Sequence, residues 1–113
     1  MSQVEMLTLF GNEYEPGHEL TMSEKFVVFH LNNPRVFKEL EAMTEQMMAR
    51  GRSRIGIAML FEVLRWNFYM GTNDPNSEFK LNNNYRSFYA RLLMDLHPEW
   101  GQVFELRELQ GRS

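Results

Sequence analysis

The sequence predicts a mainly α-helical single domain, a compact bundle of four to five helices. Three observations predict it. Apolar residues recur at helical spacing over residues 34–50, 54–70 and 85–96. Capping residues and Gly or Pro stops bracket these stretches. The length of 113 residues, 43% hydrophobic and 24% charged, is that of one ordinary globular domain. A short β-element near 78–81, with Phe79 and Leu81 on one face, would give the bundle a winged-helix-like form.

The elements follow in chain order. Residues 1–20 read as an irregular arm, whose Val4, Met6, Leu7, Leu9 and Phe10 are apolar enough to lie over the core. Gly11-Asn12 and Pro16-Gly17 break it. Thr21 and Glu24 have the spacing of a capping box, so the first helix starts there. Met22, Phe26 and Phe29 form its apolar face. Asn33 is the expected cap of the second helix, with Pro34 in its first turn, where a missing N–H costs nothing. Val36, Phe37, Leu40, Met43 and Met47 make its stripe, and Gly51 is its stop.

Ser53 is the expected cap of the third helix. Apolar residues nearly encircle that helix, which predicts a central, buried element. Its expected wet strip is narrow: Ala58, Glu62, Arg65 and Tyr69. Gly71 to Ser77 is a loop by composition. Asn83 or Asn84 is the expected cap of the fourth helix, with Tyr85, Phe88, Tyr89, Leu92 and Leu96 facing inward. Pro98, Glu99 and Trp100 open a short final helix, with Trp100, Val103, Phe104 and Leu106 packing back. The expected core centres on Leu60, Phe61, Leu64 and Leu92.

Composition removes several classes of function. With no cysteine the chain has neither disulfides nor thiolate chemistry. Met1 to Phe10 lack the basic start and long apolar run of a signal peptide. The most apolar stretch, Ile55 to Leu64, is too short for a membrane span, which needs about 20 residues. The expectation is a cytoplasmic chain with no membrane partner. Net charge is −3, which disfavours indiscriminate binding to polyanions. The charge is unevenly spread, however. Arg50, Arg52, Arg54, Arg65, Lys80, Arg86 and Arg91 make a basic middle between acidic ends.

No catalytic motif is present. A P-loop, G-x-G-x-x-G, H-E-x-x-H and G-x-S-x-G are all missing. His18, His30 and His97 are far apart in sequence. His18 lies in a Gly/Pro loop, and the other two sit at helix C-termini, where the dipole favours a histidine. The expectation is a chain that is not an enzyme and uses no metal or cofactor. Met43, Met47 and Met48 invite comparison with adaptable binding grooves. Two of them lie on the buried stripe, so core filling explains them first.

Two basic segments remain as binding candidates. Arg50, Arg52 and Arg54 join two helices through a turn of helix-turn-helix length. The helix after it is too apolar for a DNA groove, so a tight corner with solvated arginines is the plainer reading. The second segment runs from Lys80 through Asn82, Asn83 and Arg86 to Arg91. Three asparagines before a helix exceed what one cap needs. Amides pair with adenine, arginines pair with guanine or phosphate, and a helix N-terminus attracts phosphate. The competing reading is a loop that uses asparagines for turns.

Residues 29–37, 54–66 and 79–93 carry a resemblance. Phe29-His-Leu-Asn-Asn-Pro-Arg-Val-Phe37 and the apolar run from Arg54 to Trp66 are two parts of it. The third is Phe79-Lys-Leu-Asn-Asn-Asn-Tyr-Arg-Ser-Phe-Tyr-Ala-Arg-Leu-Leu93. Together they resemble a family of small, largely uncharacterised bacteriophage and prophage proteins, over about residues 25–109. The family brings no established activity. The resemblance implies a bacterial cytoplasm and a role in phage DNA transactions or in disabling a host system. The expected function is therefore non-enzymatic binding of DNA through residues 80–91, helped by Arg50, Arg52 and Arg54. The alternative is a protein–protein inhibitor of a host complex, an anti-defence factor.

Overall fold

A computed structural model describes residues 19–77 and 80–106. Within them the chain forms four α-helices: α1 (Met22–Asn32), α2 (Pro34–Ala49), α3 (Ile57–Gly71) and α4 (Arg86–Leu96). Single 3₁₀ turns at Asn83–Tyr85 and Pro98–Trp100 flank α4. The helical bundle expected from periodicity is thus present. Strands are absent among the described residues, and only an isolated parallel bridge joins Ile55 to Phe104. The expected β-element near 78–81 is not a strand at Lys80 and Leu81, while Glu78 and Phe79 lie outside the described residues. So do the apolar residues of the N-terminal arm and His18.

The helix ends show which local signals operate. Thr21 and Glu24 form the capping box: Thr21 Oγ1 accepts from the Glu24 amide at 3.2 Å, and the Glu24 carboxylate accepts from the Thr21 amide at 2.8 Å. Asn33 stands at the N-cap of α2 but does not cap it. Its side-chain Nδ2 instead donates to the Phe29 carbonyl at 2.9 Å, closing α1. Gly51 ends α2 with φ 90°, a conformation that suits glycine. The Gly51 amide donates to Met48 O at 2.9 Å and the Arg52 amide to Met47 O at 3.1 Å, the paired bonds of a Schellman motif.

Helix α3 starts later than its apolar run suggests. The Ile55 amide donates to the Val103 carbonyl at 2.8 Å, which holds residue 55 extended. Gly56, not Ser53, therefore takes the N-cap position. Similarly, neither Asn83 nor Asn84 caps α4. Asn82 Oδ1 accepts from the Asn84 amide at 2.8 Å and caps the 3₁₀ turn that leads into it.

The core joins all four helices. Phe26 and Val27 of α1, Val36 and Leu40 of α2, Leu60, Phe61 and Leu64 of α3, and Tyr89, Ala90, Leu92 and Leu93 of α4 are buried. The four residues expected at its centre are among them. Val103 and Phe104 pack back as expected and are also buried. Leu96, expected inside, is exposed, and Leu93 takes the inward position instead. Thr44 is a polar residue in the core; its hydroxyl donates to Leu40 O at 2.8 Å, which removes the cost of burying it.

An aromatic cluster lies at the junction. Phe26 meets Tyr89 edge-on at 4.8 Å and stacks on Phe88 at 5.1 Å. Tyr89 reaches Phe61 at 6.1 Å, and His30 bridges Phe26, Phe37 and Tyr89. His30 Nδ1 and the Tyr89 hydroxyl are buried without a hydrogen-bond partner. Burial lowers the His30 pKa and raises that of Tyr89, so both stay neutral. His30 is thus a core residue, not a charge at the end of a helix dipole.

Two substitutions test this packing in denaturant melts. Leu64→Ala should cost about 2–5 kcal/mol, because it empties a buried site. Tyr89→Phe should leave stability unchanged or raise it by about 1 kcal/mol, because it deletes an unpartnered buried hydroxyl. A loss of more than about 1 kcal/mol in Tyr89→Phe would show that the hydroxyl has a partner.

Candidate functional site

Helix α3 is central but not enclosed. It packs on α2 and α4 and buries Leu60, Phe61 and Leu64 against them. Ala58, Glu62 and Tyr69 of the expected wet strip are exposed and Arg65 is half-buried, but the wet side is wider than expected and includes an apolar face. Met59 is 46% exposed, Val63 37%, Trp66 65% and Met70 68%. Their spacing of four, three and four residues aligns them along one side of the helix. Tyr69 and Glu62 border this stripe on one flank and Asn67 on the other. Sequence periodicity missed it because both sides of α3 are apolar.

Arg65, expected in solvent, is half-buried and organises the next segment. Its guanidinium donates to the Glu62 carboxylate at 2.7 Å and to the Leu81 carbonyl at 2.7 Å. It also donates to Asn83 Oδ1 and lies 6.0 Å from the centre of the Phe61 ring. Residues 81–83 are thereby fastened to α3.

The sequence-derived binding residues of the 80–91 segment line different clefts. Lys80 lines a cleft of about 920 Å³ with Arg35, Asn33, Asn67 and Phe68. Asn83, Asn84 and Arg86 line another, of about 610 Å³, beside Met22 and Ile57. Arg91 lines a third, of about 350 Å³, near Asp95 and Gln102. Asn82 and Asn83 use their amide oxygens to cap the 3₁₀ turn and to receive Arg65. Arg86 is half-buried, and its Nε donates to the Asn83 carbonyl at 3.1 Å. Arg50, Arg52, Arg54 and Arg91 are exposed, with no acidic partner among the described residues.

His97 does not stand alone. Its Nε2 lies 2.5 Å from Glu41 of α2 and its Nδ1 2.9 Å from Glu99. The ring stacks on Trp100 with centroids 3.8 Å apart. Burial lowers the His97 pKa, but the hydrogen bonds to Glu41 and Glu99 and their charges outweigh it, so the net shift is upward. The hydrogen bond to His97 is the largest cause that lowers the Glu99 pKa. The clamp pins the end of α4 to α2. The sequence hid it, because Glu41 and His97 are far apart along the chain.

Among the described residues, no group of three His, Asp or Glu side chains is placed to hold a metal ion, and no helix is long and apolar enough to cross a membrane. No family model, curated protein or solved structure matches the chain. The resemblance to phage and prophage proteins has no counterpart in these comparisons.

The clamp predicts a pH dependence. His97 contributes stability that is full below its unfolded value near 6.5 and is lost as pH rises through its raised folded value. Glu99 contributes stability present above its unfolded value of 4.5 and lost as pH falls through its lowered folded value. The contribution therefore peaks between the two unfolded values. In melts across pH, the parent should lose stability above pH 6.5 relative to His97→Gln. Parallel curves for the two proteins would remove the clamp.

Proposed function

We propose that this chain is a non-enzymatic protein-binding module that engages another protein chain through the exposed face of α3. One observation carries the reading: Met59, Val63, Trp66 and Met70 lie side by side in solvent on a helix that also supplies the core. A contiguous apolar patch of this kind marks an interaction surface, and Trp, Met and Tyr are the residues enriched there. The phage resemblance would make the partner a component of a bacterial host, in keeping with an anti-defence role. Nothing about the face itself requires that origin.

A pull-down from bacterial lysate with the tagged full chain tests the reading. A protein retained near stoichiometric amounts after nuclease treatment, and lost in Trp66→Glu, is the expected result. Retention that nuclease abolishes would overturn it.

A second reading, binding of DNA, draws support from Arg50, Arg52, Arg54 and Arg91, which are exposed and unpaired. On this reading the first three form one basic corner between α2 and α3. If they contact phosphates, each arginine replaced by alanine should lower the salt slope of DNA binding by about one unit. Failure of the parent to bind DNA at low salt would dispose of this reading.

A further inference from the structure

Helix α1 is held to α4 by rings and joined to α2 by one residue. Phe26 meets Tyr85, Phe88 and Tyr89, and Phe29 meets Tyr85. His30 completes the contact. Its ring stacks on Phe26 with centroids 5.9 Å apart and meets Tyr89 edge-on at 5.9 Å. From α2, Phe37 closes this cage at 5.5 Å. Asn33 alone separates α1 from α2. Its amide donates to the His30 carbonyl at 3.3 Å and its side chain to that of Phe29 at 2.9 Å. The joint between the two helices therefore lies within one turn of the caged imidazole.

The cage suits a neutral ring and opposes a charged one. An imidazolium carries N–H groups on both nitrogens. His30 Nδ1 is buried with no hydrogen-bond partner, so a proton placed there meets no acceptor. Of the rings that touch His30, only Tyr89 titrates, and burial keeps it a neutral phenol. Among the described residues, the carboxylates that reach a histidine are Glu41 and Glu99, and both reach His97. Burial lowers the His30 pKa with no charge to offset it.

Once the ring is in water, it takes up a proton at its ordinary value near 6.5. The closed junction thus loses stability as pH falls through that value toward the lowered value of the cage. Each pH unit across that interval favours the open form by up to about tenfold. The clamp at His97 runs the other way. It ties the end of α4 to α2, and its contribution peaks between 4.5 and 6.5. Mild acid therefore loads the contact between α1 and α4 while the tie between α2 and α4 is strongest.

We propose that His30 is an acid-sensitive switch: when its ring takes up a proton, α1 swings away from α4 about Asn33 while α2 and α4 stay joined. Release uncovers the rings of Tyr85, Phe88 and Tyr89 that α1 covers at neutral pH.

Distances between spin labels on the full chain test the switch. The chain has no cysteine, so labels attach only where cysteines are introduced. Lys25→Cys with Arg91→Cys follows α1 against α4, and Gln46→Cys with Arg91→Cys follows α2 against α4; all three sites are exposed. Measurements at about pH 7.5 and about pH 5 lie on either side of the ordinary histidine value. The first pair should show one distance at the higher pH and gain a second, longer one at the lower. The second pair should keep one distance at both. His30→Phe keeps a ring in the cage without a nitrogen, so it should hold α1 closed in acid. His30→Leu takes its place if that variant does not fold at the higher pH. An unchanged distance for the first pair in acid would overturn the switch. So would lengthening of both pairs together, which is unfolding of the whole bundle, or an acid response in the His30 variant equal to the parent's.

Discussion

The edge-to-face contact between Phe26 and Tyr89 holds the bundle together. Tyr89 is fully buried, and its ring touches residues from α1 and α3 while belonging to α4. Phe26 extends the same contact to Phe88 and His30, and His30 passes it to Phe37 on α2. One ring pair thus connects every helix. Aromatic rings are large and their quadrupoles fix the angles at which they meet, so a few of them can set the helix positions in a small domain. Two buried polar atoms without partners, on His30 and Tyr89, are the cost of building the junction from these residues.

The junction also explains why α3 has two unlike faces. Leu60, Phe61 and Leu64 are drawn against α2 and α4, and no helix among the described residues covers the opposite side. An apolar run all around a helix therefore cannot be wholly internal here. Periodicity alone does not separate a residue that packs on its own chain from one that packs on another. That is why Trp66 and Met70 read as core from sequence and stand in solvent in the structure.

What the sequence made legible was local. The capping box at Thr21, the stop at Gly51 and most of the inward residues of α2 and α4, Leu96 excepted, follow from spacing of a few residues. What it concealed was distant. The Ile55–Val103 bond delays α3, and the Glu41–His97 pair turns an isolated histidine into a tie between helices. The basic segment is divided for the same reason. Lys80, Arg86 and Arg91 are neighbours in sequence, but a 3₁₀ turn and Arg65 direct them into separate clefts. Two of the three asparagines that suggested base recognition are engaged with the chain itself.

The Ile55 amide has a consequence for how opening of the fold is observed. Amides within α1, α2 and α4 bond to carbonyls one turn away, so each exchanges with deuterium as its own helix frays. Ile55 bonds to Val103, on the far side of α3 and α4 in sequence. Its proton is released only when the segment after α4 leaves the start of α3. The exchange rate at this single position therefore reports a concerted separation of distant parts of the chain, while the other backbone bonds among the described residues are almost all local.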